Sequence, residues 1–171
     1  MAIRPEIVPL EPRHAAIAPY IRRADADEIW AAEGIPPAPA IAGTIAATDT
    51  GWAACLHGET VAIFGVVGAW IKADEKTEGS FPERADCHPP LRCGFPWLLA
   101  TDVIERHPVH FYRMSKIFIK WMRARFDYLE NWVDARNFLS LRWLEWAGFK
   151  IEEPGPWGAF GMKFCHFYWR R

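Results

Sequence analysis

Apolar positions along this chain change period repeatedly, and each change marks a predicted element. Residues 3–10 alternate as a first strand does. Residues 13–33 carry Ile17, Ile21, Ile29 and Trp30 at helical intervals, predicting one or two helices with those four side chains inward and a stop at Gly34. The Pro-rich turn Pro36-Pro37-Ala38-Pro39 precedes an Ala-rich helix over residues 40–47. Two apolar runs, 52–57 and 61–70, flank the tight turn at Gly58-Glu59 and read as a hairpin at the centre of a sheet. Residues 72–93 are charged and Pro-rich with little periodicity, which predicts a long surface loop. A strand over 95–101, a helix over 110–126, a strand over 128–134, a helix over 138–147 and a last strand over 164–169 complete the order. The expected fold is α/β, a central mixed, twisted sheet flanked by helices, in one domain spanning residues 1–171.

The most detailed pattern is residues 131–149, NWVDARNFLSLRWLEWAGF. Trp132 and Val133 sit among polar neighbours like a half-buried strand. Asn137 is a good helix N-cap because its side chain accepts from an orphan N–H. Leu141 and Leu144 recur at helical spacing, Gly148 suits a left-handed C-cap, and Phe149 returns to the core.

Composition narrows the classes. A chain of 171 residues with a formal charge of −1 is long enough to bury a core and argues against a dedicated nucleic-acid or membrane binder. No run reaches the roughly 18 apolar residues of a membrane span, and the N-terminus lacks a signal-peptide hydrophobic region, so a soluble cytosolic product is expected. The four cysteines, Cys55, Cys87, Cys93 and Cys165, lack the spacing of a disulfide scaffold and are expected as reduced thiols. Ten Trp and eleven Phe exceed what an ordinary core requires, so they predict a heavily packed sheet, an interaction surface, or both. In the tail, 154–158 should form a rigid turn presenting Trp157, with Phe160, Phe164, Phe167 and Trp169 following.

Four pieces carry a family resemblance: ADADEIWAAEG at 24–34, VAIFGVVG at 61–68, GFPWLLATD at 94–102, and the segment 131–149. The chain resembles a phage group of GNAT-like proteins related to the internal virion protein A of T7-like podoviruses, within the acetyl-CoA-dependent N-acetyltransferase (GNAT) superfamily. The resemblance implies a GNAT-like domain, acetyl-CoA as the cofactor to test, phage or virion proteins as partners, and a location in the host cytoplasm or within the virion. It also implies cofactor contacts at Trp97, Leu99, Thr101, Arg106, Arg113 and Asn137, with Asp102 as the candidate general base and Glu28 on the first helix facing the acceptor cleft.

Two family features do not match. The expected Gln/Arg-x-x-Gly-x-Gly/Ala cradle, which holds a pyrophosphate on backbone N–H groups, corresponds to 102–113, DVIERHPVHFYR, with no glycine and with Pro108, which has no N–H. Arg106, His107, His110 and Arg113 surround the same helix start as substitute cations. Aligned on Asn137, Gly148 and Phe149, the position of the tyrosine acid holds Leu144, which cannot donate a proton. Three readings therefore stand: a virion or assembly component with a degenerate acetyl-CoA site, an active acyl-CoA-dependent N-acetyltransferase, or a nucleic-acid-associated module using the stripe Arg113, Lys116, Lys120 and Arg123. Cys87, His88, Cys93, His107 and His110 could donate to zinc, but the Cys-x5-Cys spacing is wider than structural sites use, and no metal is expected.

Overall fold

The computed structural model describes residues 5–71 and 91–171. The chain runs β1 (Glu6–Pro9), a 3-10 helix (Pro12–Tyr20), α1 (Arg23–Glu33), α2 (Pro37–Ala47), β2 (Thr50–Leu56), β3 (Glu59–Ile71) and β4 (Leu91–Ala100). It continues with α3 (Val103–Arg106), α4 (Pro108–Arg125), β5 (Tyr128–Asp134), α5 (Phe138–Trp146), β6 (Lys150–Ile151), β7 (Gly155–Trp157) and β8 (Met162–Arg170). The strands form one eight-stranded sheet in the order β1-β2-β3-β4-β5-β8-β6, with β7 on β8. All neighbours are antiparallel except β4 and β5. This is the α/β mixed sheet the sequence predicts.

Alternation along the strands divides the core between the two faces. One face packs Phe118 and Met122 of α4, Phe126 directly after that helix and Leu144 of α5 against Phe64, Leu129, Val133 and Phe167. The other packs Ile17, Ile29, Ile41 and Ile45 against Ala53 and Ile63. Asn137 caps α5 as expected, accepting from Ser140 N–H at 3.4 Å. Gly148 follows with φ +79°.

Several sequence expectations change. Trp30 is half exposed, not inward. The inward face of α1 carries Asp25, Ile29 and Ala31, with Arg22 buried just before it, so polar side chains take places that an apolar pattern assigns to Trp30. Pro37 and Pro39 lie within the first turn of α2, where missing N–H groups cost nothing, so that helix begins three residues early. Residues 91–93 belong to β4 rather than to a loop; 72–90 of that predicted loop lie outside the described residues. The short strands β6 and β7 and the single turn α3 are additions. Among the described residues no helix is long and apolar enough to cross a membrane.

Candidate functional site

The site begins with a proline inside a strand. β4 and β5 pair only at Cys93–Tyr128 and Gly94–Leu129. Two residues further, Pro96 has no N–H to continue the ladder, and its carbonyl accepts instead from Asn131 Nδ2 at 3.0 Å. From there the strands diverge while β4 stays paired to β3 as far as Ala100. Hydrogen-bonding direction alternates along a strand. Thr101 N–H donates to Val61 of β3, whereas Ala100 uses its backbone on the opposite side. Leu98 shares the parity of Ala100, so its N–H and C=O point into the gap.

Helix α1 closes the far end of the gap with two carboxylates three residues apart. Asp25 Oδ2 accepts the Ala100 N–H of β4 at 3.1 Å, and Glu28 Oε2 accepts the Asp134 N–H of β5 at 3.2 Å. Arg22 braces the first contact: its N–H donates to the Ala100 carbonyl at 2.8 Å and its guanidinium grips Asp25 at 2.6 and 3.1 Å. Asn137 braces the second, donating from Nδ2 to Glu28 Oε2 at 2.9 Å. These environments shift the carboxyls differently. Burial pushes Glu28 up to about 7 against the bonds from Asn137 and Asp134, while Asp25 and Asp134 add repulsion. Burial also raises Asp25, partly offset by Arg22. Asp134 is held below the ordinary range because the Arg136 hydrogen bonds outweigh its burial.

Between the strands lies a cavity of about 590 Å³. Its walls come from α1 and α2 on one face, α4 and α5 on the other, and both splayed strands; Glu28, Trp97, Leu98, Tyr112, Asn131, Trp132, Ser140 and Leu144 all line it. A carboxyl near neutrality inside a largely apolar cleft is suited to taking a proton. The position aligned with the tyrosine acid, Leu144, is buried in this wall. Tyr112 and Ser140 are hydroxyl groups there that the sequence pattern did not single out; Ser140 lies one helical turn before Leu144.

The residues predicted for the site separate into three groups. Glu28, Trp97 and Leu99 line the cavity, with the Trp97 indole N–H held by Thr48 Oγ1 at 3.0 Å. Asn137 and Thr101 are buried beside it in structural bonds, Asn137 to Glu28 and Thr101 Oγ1 to the Val61 carbonyl at 3.2 Å. Asp102, Arg106 and Arg113 are exposed and off the wall. The basic stripe is also shorter than predicted, because Arg123 donates to the Ala147 and Gly148 carbonyls at 2.7 and 3.2 Å and caps α5. Lys116 lies over the Trp146 ring. Cys87 and His88 lie outside the described residues, and no cluster of metal donors occurs among the described ones. Trp157 stacks on Trp132 at 5.3 Å within the cleft rather than standing alone on a turn.

No protein-family model matches the chain, and no curated protein matches it. Solved structures do. NAA60 of Arabidopsis thaliana in complex with acetyl-CoA is similar at a TM-score of 0.63 and 11% identity, over 96% of each chain. Ard1 of Thermoplasma volcanium gives 0.62 and 13% over 98% of each. An acetyltransferase of the GNAT family from Streptococcus pneumoniae gives 0.59 and 13%, over 98% of this chain and all of that one. The fold is that of GNAT acetyltransferases.

Proposed function

We propose that this protein is an acyl-CoA-dependent N-acyltransferase, with acetyl-CoA as its simplest cofactor. The observation carrying this reading is the gap between β4 and β5, which places the outward-facing Leu98 backbone and the near-neutral carboxyl of Glu28 on one cavity. An extended arm bearing amide groups fits such a strand edge, because unpaired N–H and C=O groups there mimic a missing strand. The NAA60 neighbour, solved with acetyl-CoA, supports the same use of the fold.

The residues fit the two ends of the cofactor unequally. Leu98, Asn131 and the apolar wall suit the thioester arm. The phosphate end meets no glycine between 102 and 113, and the exposed Arg106 and Arg113 would hold it as solvated side-chain cations. When bound, acetyl-CoA supplies an acyl thioester whose C–S bond is exchanged for an amide C–N bond. Glu28 takes the proton that an ammonium must lose before its nitrogen can attack. Asn137 and the Asp134 N–H fix the carboxylate, and Tyr112 and Ser140, in the same wall as Leu144, would supply the proton for the thiolate that leaves as coenzyme A.

Calorimetric titration with acetyl-CoA at low salt tests this. Micromolar binding is expected, about ten-fold weaker in the Arg106→Ala/Arg113→Ala variant, and Glu28→Gln should bind the cofactor but transfer about 10²–10⁴-fold more slowly. No binding at millimolar ligand would sink the proposal. It would favour the second reading, a phage virion or assembly component with a degenerate cofactor site, which Leu144 and the absent glycines favour.

A further inference from the structure

The α1 side of the cavity combines flat rings with carboxylates that lack a cation. Trp132 and Trp157 stack with planes 12° apart, and Phe164 meets Trp157 at 4.9 Å. All three line the cavity, as do Glu28 and Glu33 of α1. Neither glutamate forms an ion pair among the described residues, whereas the wall's Arg22 is committed to Asp25 and Glu105. Negative charge beside π surface attracts an organic cation: carboxylates draw its ammonium, and the rings take its carbon body.

Building on the acyltransferase reading, we infer that the acceptor is a primary amine on a compact aromatic body, an arylalkylamine, and not a polyamine or an amino sugar. Two carboxylates cannot neutralise a chain of ammonium groups. Sugar hydroxyls turned toward the three rings find no hydrogen-bond partners on that side, and stripping those hydroxyls of water costs free energy. Size agrees. A cavity of about 590 Å³ falls within the roughly 300–1,000 Å³ of small-molecule sites. A thioester arm takes a large share of that, leaving room for one ring and a short chain. Outside the cavity wall, where α1 ends at Glu33, the exposed Trp30 meets the exposed Phe160 of the β7–β8 turn at 5.8 Å.

The full chain, without acyl-CoA, is titrated with phenethylamine, phenethyl alcohol, spermidine and glucosamine, following tryptophan fluorescence and heat. Phenethylamine should bind at least ten-fold more tightly than each of the others, a ranking that needs no variant. Trp157→Leu should weaken it about ten-fold, Trp157→Phe should retain most of it, and Glu28→Gln should shrink the preference over the alcohol; circular dichroism verifies each fold. Spermidine or glucosamine binding as tightly, or unchanged phenethylamine affinity in folded Trp157→Leu, overturns the inference. Acetyl-CoA binding, measured separately, keeps the two readings apart. Cofactor binding with no arylalkylamine preference overturns the acceptor class alone, whereas amine binding without cofactor binding supports the amine pocket and overturns the transferase.

Discussion

Replacing Glu28 by glutamine should make the protein more stable above neutral pH while disabling it. Both hydrogen bonds to this side chain end on one oxygen, Oε2, from the Asp134 N–H and from Asn137 Nδ2. A glutamine carbonyl in the same place keeps both, and only the charge is lost. Burial raises the carboxyl from its ordinary 4.5 to about 7. At about 1.4 kcal/mol per pH unit, that displacement is worth about 3 kcal/mol in a dry site, reduced to about 1–3 kcal/mol by water in an open cleft. The sign follows from proton uptake. A carboxyl whose folded pKa lies above its unfolded one binds more protons when folded, so its stabilising contribution is complete below pH 4.5 and is lost as pH rises to about 7.

Urea unfolding of both proteins between pH 4 and 8 measures the effect. Other titrating groups are common to both chains and largely cancel in the difference. The two stabilities should agree near pH 4 and diverge with rising pH, until the variant exceeds the wild type by about 1–3 kcal/mol at pH 8. Parallel curves would show that Glu28 is not held in a desolvating site. A variant less stable at pH 8 would show that the charged carboxylate is itself the stabilising form.

Other perturbations test the frame around the site. Gly158 sits at φ +77°, and a Cβ there would lie 2.6 Å from the Ala31 carbonyl oxygen and 2.9 Å from Ala32 Cα. Gly158→Ala should therefore cost about 1–3 kcal/mol in thermal unfolding and weaken amine binding through Trp157; an unchanged Tm would refute the close docking of this turn on α1. Asn131→Leu removes the bond to the Pro96 carbonyl. It should cost about 1–2 kcal/mol and lower acetyl-CoA affinity several-fold by calorimetry, and an unaltered affinity would mean the strand gap is held by other contacts. His166 is raised above 6.5 first by its bond to Glu130, then by Glu152, against burial. Its contribution to stability is full below pH 6.5 and lost as pH rises through the folded value. NMR titration should find a midpoint above 6.5 that falls in Glu130→Gln; a wild-type midpoint below 6.5 would contradict the geometry.

The parts of the fold that alternate cleanly were legible in the sequence. β5 appears with the predicted ends, 128–134, and α5 starts behind Asn137 with Gly148 at its end, because cap chemistry and apolar period agree there. The face of α1 was not legible. Its inward positions hold Asp25, with Arg22 just before them, and these are buried because they satisfy the strand edges, a reason that exists only in three dimensions. A reading that seeks apolar stripes assigns Trp30 to that face instead. Glu28 was found through family resemblance, whereas its raised pKa and its bond to Asp134, 106 residues away, required the folded chain. Arg106 and Arg113 were chosen as cations near a helix start, and the structure leaves both in solvent.

One requirement ties these observations together. A strand gap wide enough for a cleft leaves backbone groups of β4 and β5 without each other, and buried orphans cost about 1–3 kcal/mol apiece. α1 resolves this at the closed end, Asp25 serving Ala100 and Glu28 serving Asp134, while Leu98 remains facing the cavity. The same carboxylate thus bridges the cleft's closed end and, in the proposed function, receives a proton there. These roles are compatible because a protonated carboxyl keeps an accepting oxygen, so the bond to β5 survives when Glu28 is neutral. An Ala substitution would remove both roles at once, and the glutamine substitution separates them.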